Sequence, residues 1–263
     1  MNETRFDPQA AAIRPGMTVV ATDGPAGAIG MLVADPASGE VTHFVLHGGR
    51  RWGKKQLTLP VTAVAQVVGD TVHLQLSSEA IGQLPAVPVP RQRAGAGEEP
   101  AKMDLAAVVF DAPEDAARAL QFIEGLHQRG TLKIRNAAVL VADAEGNVTV
   151  KDTRDIDPKR GRLLGAVTGG VVGLVGGPIG AVVGALAGAG AGGLAGKKID
   201  LGFPDQFLSG LKQYLQPDTS GLIVLVEHEY YQPLSEVIAE EEGVFFHQAL
   251  TDRLVERLLA EGE

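Results

Sequence analysis

LLGAVTGGVVGLVGGPIGAVVGALAGAGAGGLAG, residues 163–196, runs for 34 positions without a charge. Its glycines fall on a four-residue ladder. One register is Gly165, Gly169, Gly173 and Gly177; the other is Gly176, Gly180, Gly184, Gly188, Gly192 and Gly196. Residues four apart share one face of an α-helix. A column of glycines there is a groove for a second backbone, the small-xxx-small pattern of associating helices. Glycine in a helix interior costs about 0.8–1 kcal/mol relative to alanine, so packing must offset the cost. Gly176-Gly177-Pro178 interrupts the run, because proline cannot continue the helix ladder and glycine permits a reversal. The segment predicts a hairpin of helices over Arg162–Val175 and Ile179–Gly196, roughly 20 and 27 Å long at 1.5 Å per residue.

Lys159, Arg160 and Arg162 precede this segment, and Lys197 and Lys198 follow it. Basic flanks on both ends place both on one side of a bilayer, the cytoplasmic side. A bilayer core is about 30 Å thick and takes about twenty apolar residues to span. The second leg is marginal by that measure and the first is short. Three settings stay open: a hairpin in or against the cytoplasmic membrane, a hairpin packed against copies of itself in a soluble assembly, and an ordinary hairpin packed within its own subunit.

Outward from the ladder the pattern alternates. Leu105–Phe110 reads as a buried strand. A helix follows from Pro113 to Gln128, with Ala116, Ala119, Leu120, Ile123 and Leu126 on one face. Ala137–Ala142 and Val148–Lys151 read as strands joined through Ala144-Glu145-Gly146-Asn147. Beyond the ladder, Pro204–Leu215 is an amphipathic helix with Phe207, Leu208, Leu211 and Leu215 inward, and Ser220–Glu227 is an apolar strand. With the ladder removed the order is β-α-β-β-α-β, the ferredoxin-like arrangement. Gly243–Gln248 reads as a further strand or as the lead into a last amphipathic helix, Leu250–Ala260.

Residues 105–226 resemble a bacterial family known as domain of unknown function 1269, often labelled a predicted membrane protein. Asp155 through Arg162, the ladder with its Gly-Gly-Pro break, Asp200-Leu201-Gly202-Phe203 and Gly221–Val226 carry the resemblance. It implies the fold and the glycine hairpin, and no reaction.

Nearer the N-terminus, Met17–Ala21, Ala28–Ala34, Val41–Leu46, Gln56–Pro60, Ala63–Val68 and Thr71–Leu76 read as short strands. Asp23-Gly24, Ser38-Gly39, Gly48-Gly49 and Gly69-Asp70 punctuate them. Gly24, Gly27 and Gly30, the run Val41–Leu46, and Trp52-Gly53 leading to Leu57–Val61 resemble the PRC-barrel family, which implies a docking module. The expected fold class is therefore α+β. An extended N-terminus (1–14) leads to a PRC-barrel-like domain (15–82) and a Pro/Gly linker (83–102). A ferredoxin-like domain (103–228) carries the hairpin at 162–196, and a C-terminal segment (229–263) ends the chain.

Composition restricts the chemistry. A net charge of −9 argues against a nucleic-acid partner, and the absence of cysteine excludes disulfides, thiolate metal sites and cysteine nucleophiles. Met1–Arg14 shows no secretory signal. His43 and His47 share a strand face, where a metal pair is conceivable; without a nearby carboxylate they read as two barrel-surface residues. Arg50, Arg51, Lys54 and Lys55 surround Trp52, a basic loop suited to solvent, to anionic headgroups or to an acidic protein face. Asp152, Asp155 and Asp157 lack the spacing of a calcium loop, and Gly196-Lys197-Lys198 lacks the hydroxyl and strand of a phosphate loop. Glu240-Glu241-Glu242 reads as a solvated turn. No cofactor, metal or catalytic residue is expected.

The expectation is a non-enzymatic homo-oligomeric scaffold, with cytoplasmic domains, whose partners are its own copies and the lipid bilayer. The alternatives are a soluble closed or filamentous homo-oligomer and a small-ligand sensing module.

Overall fold

Two segments, 103–110 and 220–227, are apolar at almost every position, and such strands need cover on both faces. The computed structural model describes residues 13–36, 38–47, 57–84, 102–155 and 205–251. In order, these form β1 (Thr18–Ala21), β2 (Gly24–Ala34), β3 (Val41–His47), β4 (Leu57–Pro60), β5 (Val64–Val68), β6 (Thr71–Leu74) and α1 (Ser78–Gln83). Then come β7 (Met103–Phe110), α2 (Asp115–Gln128), β8 (Ile134–Ala142), β9 (Val148–Asp155), α3 (Asp205–Tyr214), β10 (Ser220–Glu227), α4 (Tyr231–Ile238) and β11 (Gly243–Leu250). The glycine ladder, its basic flanks, the Arg50–Lys55 loop, most of the Pro/Gly linker and the expected last helix beyond Thr251 lie outside the described residues.

All described strands join one mixed, open, 11-stranded sheet ordered β5-β6-β1-β2-β11-β7-β10-β8-β9, with β3 on β2 and β4 on β3. No barrel closes among the described residues, which corrects the expectation for 15–82. The reason lies in β2. Its first half pairs with β1, while Met31–Val33 pairs in parallel with Gly243–Phe245 of β11. The opposite edge of β2 carries β3. The N-terminal strands thus continue the C-terminal sheet instead of curling back on themselves.

The split β-α-β pattern is present but drawn from other segments than expected. The strand order β11-β7-β10-β8 is antiparallel throughout, and its connections run β7-α2-β8 and β10-α4-β11. The fourth strand is therefore β11, not Ser220–Glu227, and the second crossover helix is α4, not α3. Strand β9 is an edge addition to β8.

Helix α3 lies on the opposite face, where Phe207, Leu211 and Leu215 join Leu105, Val109, Ile223 and Phe246 in the larger apolar cluster. Helices α2 and α4 cover the other face through Ala116, Leu120, Ile123, Leu234 and Ile238. Burying each large aliphatic side chain stabilises by about 1.5–3 kcal/mol. Two glycines bring α3 close to the β2–β3 turn. Gly39 has φ +74°, and a Cβ there would stand 3.4 Å from the Gly210 Cα. Tyr214 donates to the Gly39 carbonyl at 3.0 Å.

Helix α2 has no side-chain cap of its own at Glu114. Ser220, the first residue of β10, supplies one: its hydroxyl accepts from the Ala116 amide at 3.1 Å and donates to the Ala112 carbonyl at 2.6 Å. A neighbouring strand thereby satisfies one of the helix's orphan donors.

Three outer strands pair on one side only among the described residues, and each is blunted as an edge. Strand β5 is bulged between Val64 and Gln66. A register shift against β8 leaves Lys151 as the extra residue of β9, and β4 ends on Pro60.

Candidate functional site

Every residue of β7 is buried, and one of them is a carboxylate. Asp104 is fully excluded from solvent. Register brings two imidazoles to it. Opposite Asp104 stand Ala249 on β11 and Val226 on β10; His247 lies two positions before the first and His228 two after the second. Both are diagonal neighbours on the same face. His247 Nε2 is 2.6 Å from Asp104 Oδ1, and His228 Nδ1 is 2.9 Å from Oδ2. When Asp104 is ionised it only accepts, and each ring then turns an N–H to it. The His247 side chain is buried at 3% exposure while that of His228 is 47% exposed. Tyr231, opening α4, packs on the His247 ring with centroids 4.2 Å apart. The arrangement ties β7, β10 and β11 together and leaves one edge of His228 toward solvent. Hydrophobic patterning alone did not reveal it, because the partners are 124 and 143 residues apart.

His43 and His47 do not form a pair. His43 is half-buried, its Nδ1 3.0 Å from Thr42 Oγ1, and burial holds its pKa below the ordinary value. His47 turns the other way: its Nε2 lies 2.5 Å from the Ala239 carbonyl, just past the end of α4. Its ring covers Gly30, where a Cβ would come within 2.1 Å of it. Among the described residues no group of three His, Cys, Asp or Glu side chains is disposed to hold a metal ion.

The Glu240–Glu242 turn is exposed, as read from sequence. It also borders a cleft of about 420 Å³ whose other walls include Phe110, Phe122 and the Asp115–Arg118 ion pair of α2. Asp152 is partly buried on β9. Among the described residues no helix is long and apolar enough to cross a membrane.

Residues 162–261 match the family model described as "Protein of unknown function (DUF1269)". The matched stretch spans the ladder and α3, β10, α4 and β11 and leaves out residues 15–82, so it lends nothing to the PRC-barrel resemblance. No curated protein and no solved structure matches the chain.

Proposed function

We propose that this protein is a non-enzymatic homo-oligomeric scaffold whose glycine-ladder segments associate at or in the cytoplasmic membrane. The observation that carries the reading is the uncharged ladder of residues 163–196 with basic residues on both flanks. In this reading residues 103–250 are a ferredoxin-like unit. Strand β9, the ladder and α3 form one long insert between its second and third strands. The insert leaves the unit after Ala142 and returns at Ser220. The bulges at β5 and β9 and the proline ending β4 disfavour strand-to-strand assembly through the sheet edges. That leaves helix contact through the ladder as the favoured route of self-association.

Fractionation of the expressed protein tests this, followed by sizing of whatever stays in solution without detergent. Membrane-pelleted protein that resists a carbonate wash is the expected result. A large monodisperse particle free of lipid would remove the membrane and keep the assembly. A soluble monomer would end both.

A further inference from the structure

Charge is spread unevenly along the strands of the C-terminal sheet. Strands β7 and β8 start, and β9, β10 and β11 finish, at one end of it. That end carries exposed Lys102, Arg129 and Lys133, half-exposed His228, and Arg135 paired with Glu227. Arg129 belongs to it because α2 follows β7 from the far end and closes just before β8. Besides Glu227, its carboxylates are exposed Glu229, buried Asp104, and Asp155, which closes β9. The far end is acidic. Asp111, Glu114, Asp143, Glu145, Asp218 and the Glu240–Glu242 turn are exposed there, against Lys212 and an Arg118 that is itself paired with Asp115. In a chain of net charge −9 the first end is thus a local inversion of sign. Both connections to residues 156–204 belong to it. Strand β9 finishes there at Asp155. Helix α3 starts at Asp205 and rises about 15 Å along its ten residues. Leu215, just past it, lies beside Gly221 in the far half of the sheet, so Asp205 lies toward the basic end.

We propose that this basic end of the sheet faces the bilayer and meets anionic phospholipid headgroups, with the acidic end turned away. The proposal rests on the membrane reading of the glycine ladder above and adds an orientation and a lipid class. An anionic leaflet attracts Lys and Arg and repels carboxylates within a Debye length of about 8–10 Å. The eight residues of β7 separate the two ends by about 25 Å, so only one end can stand in that field.

The sequence has no cysteine, so a single introduced thiol reports one position. Thr131→Cys, beside Lys133, and Glu145→Cys, in the β8–β9 turn at the far end, are each labelled with bimane in the full-length protein. Phosphatidylglycerol vesicles containing a headgroup-nitroxide lipid should quench the label at 131 and leave the label at 145 bright. Arg129→Glu/Lys133→Glu should lower partition into phosphatidylglycerol vesicles by at least about tenfold and leave partition into phosphatidylcholine vesicles unchanged. If wild type binds vesicles but the label at 131 is quenched no more than that at 145, the orientation is overturned and the membrane reading stands. Undiminished partition of the charge-reversed variant into phosphatidylglycerol likewise overturns the headgroup contact alone. Wild type that binds neither kind of vesicle ends the membrane reading, and this proposal with it.

Discussion

Asp104 on β7 and His247 on β11 meet inside the protein, Oδ1 to Nε2 at 2.6 Å, with neither side chain more than 3% exposed. Hydrogen bonds to a charged group contribute about 1.5–3 kcal/mol, and removing one partner leaves the other buried and unsatisfied. Asp104→Ala should therefore lose about 3 kcal/mol or more in urea unfolding. His228→Ala should lose less than about 1.5 kcal/mol, since its half-exposed ring leaves space that water can fill. Equal losses at the two positions would mean that burial is not what sets the strength of the cluster.

Gly30→Ala forces the His47 ring off its seat, because the added Cβ falls 2.1 Å from ring atoms. The ring can move only by giving up the Ala239 carbonyl. A cost of about 1–3 kcal/mol is expected from overpacking. In a His47→Ala background the same substitution should cost clearly less, so a double-mutant cycle by thermal unfolding should show coupling of at least about 0.5 kcal/mol. Simple additivity would show that Gly30 is required for another reason.

Ser220→Ala removes the cap that β10 lends to α2. Cap losses typically cost about 1 kcal/mol. Hydrogen exchange should locate the change at Ala116 and its neighbours in the first turn, and a loss spread evenly over the sheet would contradict the capping role.

Asp143 organises the β8–β9 turn. The Asn147 side chain, then the backbone amides of Asn147, Glu145 and Gly146, hold its carboxyl below the ordinary 3.8. A depressed folded-state value means stability that is present above the unfolded pKa and lost as pH falls through the folded one. Asp143→Ala should lower the neutral region of the stability curve and flatten its acid limb below about pH 4, leaving stability at strongly acid pH comparatively unchanged. Carboxyl chemical shifts read through an NMR titration check the direction, and a midpoint at or above 3.8 would contradict it.

In the proposed assembly Gly184 and Gly188 stand in the ladder contact, so Gly184→Leu and Gly188→Leu should break self-association. Analytical ultracentrifugation in mild detergent reads the outcome. Unchanged mass and unchanged membrane partition in both variants would sink the scaffold reading.

Much of this architecture was legible locally. Alternating apolar runs and turn glycines located the strands from Thr18 to Leu74 to within a few residues, and Pro113 with its amphipathic run located α2. Tyr231–Ile238 escaped as a helix because its eight residues include Pro233 and lie between two strands, too short for a helical period to stand out. Its omission led to the wrong fourth strand.

By itself the sequence determined the α+β class, most strand positions, the lack of cysteine chemistry and the uncharged glycine ladder with basic flanks. These follow from residue type and spacing over ten or twenty positions. Only the tertiary structure decided that the N-terminal strands join the C-terminal sheet, that Ser220 caps a helix 104 residues away, and that Asp104 gathers His228 and His247. The reason is register: a strand pattern says which residues share a face, but which residue on another strand stands opposite is set by packing of the whole sheet.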